Sequence, residues 1–311
     1  MNKKQLNKKD LIGLQELSKE EIEFILNQAI YFKEIFTKPI KKSSNLNKKR
    51  IASLFYEPST RTKSSFDMAM KVLGAGSINF SINSSSVAKG ETLIDTVKNL
   101  ESMGIEAIIV RHSMGGAARL IADHVDIPVI NAGDGFNEHP TQALLDMFTM
   151  IEAKGYIKDK KVTIIGDISH SRVARSNIWG LTKIGAKVTV CGPSSLIPAE
   201  IEKMGAIVNN KVEKAIAGAD FINVLRVQFE RQKGNFFPSV REYYREYGLT
   251  PRRLKLASKD VTIMHPGPIN RGIEISTEVA DGPYNVILNQ VTNGVAVRMA
   301  VLYLLLSRRD Q

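Results

Sequence analysis

Apolar positions along the chain alternate between two rhythms. Ile22, Ile25, Leu26, Ala29 and Ile30 recur at helical spacing behind Ser18 and Glu21, which form a capping-box pair. The run 51–55 reads as a short buried strand, stopped by Glu57-Pro58-Ser59-Thr60. Phe66, Ala69, Met70 and Leu73 mark the helix after it. Further strands are expected at 77–80, 107–110 and 128–130, and helices at 91–103, 117–124 and 141–153. A second series opens at Lys161, with a β-branched strand at 162–165 ending on Gly166 and a helix over 173–184. Strands at 188–191, 221–225 and 261–264 follow, then a last helical pattern over 286–307. Two such series predict an α/β protein of two doubly wound domains, each a central parallel sheet flanked by helices. Ligands of such sheets bind beyond the carboxyl ends of the strands, so the turns after strands are where chemistry is expected.

Composition narrows the class. A chain of 311 residues suits two domains or one large barrel, and the two series favour the former. One cysteine, Cys191, excludes a disulfide framework and a Cys-based zinc cluster, and fits a reducing compartment. The basic N-terminus has no apolar core behind it, so no secretory signal is read there. The longest apolar run, near 295–306, is broken by Arg298 and is too short to span a bilayer. A cytoplasmic protein without membrane contact is expected. Lys and Arg number 43 against 32 Asp and Glu, a net charge of +11 that suggests an anionic partner. The lysines sit in short groups such as Lys8-Lys9 and Lys41-Lys42, which read as solvated loops. A nucleic-acid-binding protein is the rival the charge allows, but no recognition motif supports it.

Four turns carry candidate chemistry. Ser59-Thr60-Arg61-Thr62 follows a strand and opens a helix. Such a turn offers free N–H groups, the positive end of a helix dipole, three hydroxyls and a guanidinium, which together suit an oxyanion or serve as a plain helix cap. The polar loop 84–90 holds Ser85 and Lys89. Arg111 ends a strand. His139-Pro140-Thr141-Gln142 follows a glycine-marked loop, and Pro140 suits a first helical position with His139 as N-cap. The positive end of a helix disfavours imidazolium, so His139 is expected to be a neutral hydrogen-bond donor.

Phe55-Tyr56-Glu57-Pro58-Ser59-Thr60-Arg61-Thr62, with His139-Pro140-Thr141-Gln142 downstream, resembles the carbamoyl-phosphate signature of the aspartate and ornithine carbamoyltransferase family. The resemblance covers nearly the whole chain. It implies a carbamoyl-phosphate-binding domain at 1–140, to which a C-terminal helix near 292–311 returns, and an acceptor-binding domain at 141–291. By the family pattern Ser59, Thr60, Arg61 and Thr62 hold phosphate. Thr62, Arg111 and His139 bond the carbonyl oxygen, and Gln142 the carbamoyl NH₂. Ser85 and Lys89 match a mobile loop that reaches a neighbouring subunit's site, which implies a homotrimer with shared active sites. Regulatory chains and a larger assembly are left open.

His265-Pro266-Gly267-Pro268 and Arg226-Val227-Gln228-Phe229-Glu230-Arg231 look like the aspartate branch rather than the ornithine branch. Leu often stands where this chain has Gly267. Ser113-Met114-Gly115 matches an ornithine-type triplet, but in the wrong part of the chain. The pattern gives Arg172 the α-carboxylate of aspartate, Arg226 and Gln228 its side-chain carboxylate, and Pro266 and Gly267 backbone contacts. Paired guanidinium hydrogen bonds suit a dicarboxylate, whereas ornithine would need an acidic pocket, which this segment does not offer. Glu57 and Arg231 resemble ion-pair residues of domain closure. The implied reaction gives N-carbamoyl-L-aspartate and phosphate, a step of pyrimidine biosynthesis, with no cofactor, metal or covalent enzyme intermediate. Cys191 lies outside the motifs and reads as inert. A dinucleotide oxidoreductase is the other rival, but Gly166-Asp167-Ile168-Ser169-His170-Ser171 has one glycine where the phosphate fingerprint has three.

Overall fold

The computed structural model describes residues 6–38, 45–81, 91–227 and 239–307. Helix α1 (Lys19–Thr37) starts at the expected capping box, with the Glu21 N–H donating to Ser18 Oγ at 3.2 Å and the Ser18 N–H to Glu21 Oε2 at 2.9 Å. It buries Ile22, Ile25, Leu26, Ala29 and Phe32, while Ile30 turns to solvent. Strand β1 (Arg50–Phe55), α2 (Thr60–Leu73), β2 (Gly76–Ser81), α3 (Leu93–Ser102), β3 (Ala107–His112), α4 (Ala117–Ala122) and β4 (Val129–Asp134) complete the first series. Their sheet is wholly parallel, in the order β2-β1-β3-β4. Ala52, Leu54, Ile108, Val110 and Val129 pack with Val97, Leu100 and Ile121 of α3 and α4 in one core cluster.

Helix α5 (Pro140–Lys154) leads to the second series: β5 (Lys161–Ile165), α6 (Arg172–Lys183), β6 (Lys187–Cys191), β7 (Ile207–Val208), α7 (Val212–Ala215), β8 (Phe221–Val224), α8 (Val240–Tyr247), α9 (Pro251–Leu254) and β9 (Thr262–Met264). This sheet is also parallel, ordered β7-β6-β5-β8-β9. Helices α10 (Thr277–Ala280) and α11 (Ile287–Leu306) follow. The chain forms two compact units: a first that runs to Leu145 and resumes at Val291, and a second spanning Asp146–Gln290. Both changes of unit fall inside helices, α5 and α11. Strand order reverses direction between β1 and β3 in the first sheet and between β5 and β8 in the second. Those reversals open the crevices in which doubly wound sheets bind ligands.

Candidate functional site

In the first unit the candidates stand at the carboxyl ends of three adjacent strands, β1, β3 and β4. Phe55 is in register with Arg111, and the Tyr56 N–H donates to the Arg111 carbonyl at 2.8 Å, so the turn after β1 lies beside the end of β3. Ser59 is the N-cap of α2, yet its side chain makes no capping bond. Its hydroxyl is thus not spent on the role that a plain cap would give it. The first turn of α2 carries no acidic residue, and Arg61 stands in it at the positive helix end. Arg61 and Thr60 are exposed, and Thr62 is buried. Arg111 sits where the β3–β4 register shifts between Val110 and His112, an irregularity of the kind that re-aims side chains. Its Nε lies 3.4 Å from Glu57 Oε2, and its Nη1 donates to the Ala132 carbonyl at 3.3 Å. This contact is an ion pair of Glu57 within the first unit. Burial lowers the pKa of the adjacent His112, whose Nδ1 accepts the Met114 N–H at 3.0 Å.

His139 is buried and immediately precedes Pro140, the first residue of α5, as the motif predicts. Its carbonyl accepts the N–H groups of Gln142 at 3.0 Å and Ala143 at 3.3 Å. Sequence reasoning missed the scaffold behind it. Asp134 accepts from the Gly116 N–H at 2.7 Å, Asn131 Nδ2 at 2.8 Å and the Glu138 N–H at 3.1 Å. Glu138 in turn accepts the N–H groups of Leu14 and Gln15. The only signal was the Gly133-Asp134-Gly135 loop itself, which marks a turn without saying what Asp134 binds.

In the second unit the candidates stand at the ends of the adjacent strands β5, β8 and β9. The turn after β5 is closed by Asp167, which accepts the His170 N–H at 3.0 Å and pairs with His170 Nδ1 at 3.0 Å. Ser171 caps α6, its Oγ accepting the Ala174 N–H at 3.1 Å, so buried Arg172 becomes the first helical residue. The Leu225 N–H donates to the Ile165 carbonyl at 2.8 Å, placing half-buried Arg226 just beyond the shared edge of β5 and β8. After β9, the Gly267 N–H donates to His265 Nδ1 at 2.7 Å, while His265 Nε2 lies 3.1 Å from Glu274 Oε1. An acceptor role at Nδ1 leaves the proton of a neutral ring on Nε2, facing that carboxylate. Gly267 has φ 62°, a left-handed conformation that glycine adopts freely and Leu does not. Asn270 Nδ2 donates to the Val227 carbonyl at 3.0 Å, linking the segments after β8 and β9. Ser85, Lys89, Gln228 and Arg231 lie outside the described residues. Burial pushes the Cys191 thiol up to about 12. No cluster of three or more metal-ligating side chains occurs among the described residues, and none of the described helices is long and apolar enough to cross a membrane.

These features define a two-domain, open-sheet α/β protein whose strand ends carry cations and hydroxyls at both topological reversals. The carbamoyl-phosphate-binding domain model of the aspartate/ornithine carbamoyltransferases matches residues 9–152, and the aspartate/ornithine-binding domain model matches 158–305. The chain belongs to the aspartate/ornithine carbamoyltransferase family. It is 59% identical over 303 residues to the aspartate carbamoyltransferase catalytic subunit of Ruminiclostridium cellulolyticum, covering 97% of each chain. It is 58% identical to that of Acetivibrio thermocellus, covering 98% of this chain and 97% of the other. Among solved structures, aspartate transcarbamoylase from Trypanosoma cruzi in complex with carbamoyl phosphate aligns with a TM-score of 0.85 at 28% identity, over 96% of each chain. Ornithine carbamoyltransferase from Pyrococcus furiosus aligns with a TM-score of 0.87 at 32% identity, also over 96% of each.

Proposed function

We propose that the protein is an enzyme that transfers the carbamoyl group of carbamoyl phosphate to the amine of L-aspartate, releasing N-carbamoyl-L-aspartate and phosphate. The observation that carries this reading is the pair Arg172 and Arg226 at the reversal of the second sheet, in a chain 59% identical to an aspartate carbamoyltransferase catalytic subunit. Two guanidinium groups suit the two carboxylates of aspartate. Arg172 takes the α-carboxylate, and Arg226 with Gln228 the side-chain carboxylate. Pro266 and Gly267 offer backbone carbonyls. Ser59, Thr60, Arg61 and Thr62 hold phosphate, joined by Ser85 and Lys89. Thr62, Arg111 and His139 donate to the carbonyl oxygen, and Gln142 meets the carbamoyl NH₂. The neutral amine of aspartate attacks the carbonyl carbon. Negative charge gathers on the carbonyl oxygen, where preorganised donors lower the barrier most. The C–O bond to phosphate then breaks, Arg61 balances the leaving group, and a phosphate oxygen accepts the amine proton.

The test is phosphate release from carbamoyl phosphate with aspartate, ornithine and putrescine compared. Aspartate should be the effective acceptor; release with ornithine or putrescine instead would refute the assignment. That product would place the enzyme in pyrimidine biosynthesis, and a cytoplasmic location is proposed with it. The 84–90 loop is proposed to serve a neighbouring subunit of a homotrimer. Mixing inactive Lys89→Ala with inactive Arg61→Ala chains should then restore activity through composite sites. Confirmed hybrids without recovery would locate each site within one chain.

A further inference from the structure

We infer that Asp146, a buried carboxylate on α5, is a positioning residue that ties together the three elements carrying Arg172, Arg226 and the Pro266-Gly267 turn. Asp146 is fully buried in the second unit. Its Oδ2 accepts from Asn177 Nδ2 at 2.8 Å and from Asn223 Nδ2 at 3.2 Å. Its Oδ1 accepts from Gln290 Nε2 at 2.8 Å. The Gln290 Oε1 in turn accepts the backbone N–H of His265 at 3.0 Å. Asn177 lies on α6, whose first residue is Arg172. Asn223 lies on β8, three residues before Arg226. His265 opens the Pro266-Gly267 turn and holds its Gly267 N–H. One anion thus sets the relative placement of all three described acceptor-site segments. Apolar packing at this point would bury as much surface but would not fix register, whereas hydrogen bonds to a charged acceptor in a dry interior are directional and strong. The inference rests on the acceptor role proposed for these segments.

Asp146→Asn tests it. The substitution keeps the side chain's size and sets an amide N–H₂ against a partner N–H₂. The expected result is an aspartate KM raised about tenfold or more, the effect of losing one hydrogen bond to a charged group, with carbamoyl-phosphate affinity within about twofold of the unaltered protein. Asp146→Asn combined with Gln290→Glu restores complementarity: the new amide donates to the new carboxylate, whose other oxygen still accepts the His265 N–H. That double variant should recover most of the lost aspartate affinity, a rescue that generic core damage would not show. Gln290→Met leaves the Asn177 and Asn223 bonds in place while freeing the His265 N–H. It should raise the aspartate KM in the same direction, and carries the test by itself if Asp146→Asn does not fold. An unchanged aspartate KM in either folded single variant, or a double variant no better than Asp146→Asn, overturns the inference. Failure of the unaltered protein to use aspartate would sink the functional reading, and this inference with it.

Discussion

Glu138 stands directly before His139 and anchors the polypeptide that runs past it. Its Oε2 accepts the Leu14 N–H at 2.7 Å and its Oε1 the Gln15 N–H at 3.2 Å. Leu14 is fully buried, so its amide cannot turn to water when the carboxylate is removed. A buried hydrogen bond to a charged group contributes about 1.5–3 kcal/mol, and the more exposed Gln15 bond about 0.5–1 kcal/mol. Glu138→Ala should therefore destabilise the first unit by roughly 2–4 kcal/mol. At about 2–4 °C per kcal/mol, its thermal transition should fall by roughly 5–15 °C. The same bonds can be broken from the other side. A Cβ on Gly13 would run into the Glu138 carboxylate, well inside van der Waals contact, so Gly13→Ala must push that group away. Thermal and denaturant unfolding of the wild type, both single variants and the double variant closes a cycle. In the Glu138→Ala background the carboxylate is gone, and Gly13→Ala should cost almost nothing. Equal costs of Gly13→Ala in the two backgrounds, within about 0.5 kcal/mol, would refute the reasoning.

Arg61→Ala should lower turnover by roughly 10²-fold or more, the scale for losing one transition-state donor, and near-normal turnover in a folded variant would remove Arg61 from the mechanism. Arg226→Ala should raise the aspartate KM about 10- to 100-fold while carbamoyl-phosphate binding changes far less. Collapse of carbamoyl-phosphate binding with an unchanged aspartate KM would reverse that division of labour. Cys191 should resist iodoacetamide at pH 8 until the protein unfolds, because burial holds the thiol protonated up to about 12. Its folded pKa lies above the ordinary value of 9.0, so its contribution to stability is intact below pH 9 and is lost as pH rises towards 12. Rapid labelling of the folded protein would contradict the burial.

The architecture was legible because strand and helix periodicities alternate cleanly and because strands such as 51–55 and 162–165 end on unmistakable breakers. The described candidate residues were legible for a related reason: Ser59, Arg61, His139, Arg172 and Arg226 stand in turns directly after strands, where their residue types are visible. Tertiary partnerships were not. The segment around Leu11 adds itself alongside β4, with the Leu11 N–H on the Val129 carbonyl and the Asp10 carboxylate accepting the Val129 N–H. Nothing in its Lys-rich, aperiodic sequence announces this, since the pairing is decided by the free edge of β4. Asp146 reads as one more polar residue on α5, and only the fold brings Asn177, Asn223 and Gln290 to it. Ile30 fits the apolar repeat of α1, but its neighbour Ala29 already occupies the buried stripe.

The interruption of the first unit has a consequence for biosynthesis. Its core includes Ala296, Val297, Met299, Ala300 and Leu302 of α11, and Arg298 of that helix donates to Ser65 Oγ at 3.0 Å and lies 5.0 Å over the Phe66 ring of α2. The ribosome delivers these residues only after the whole of Asp146–Gln290 has been made. The second unit is contiguous and can condense as soon as it emerges, whereas the nascent first unit waits with the α11-facing flank of α2 uncovered. The helix whose N-terminal turn is proposed to grip phosphate is therefore braced late, after the acceptor half of the enzyme is already in existence.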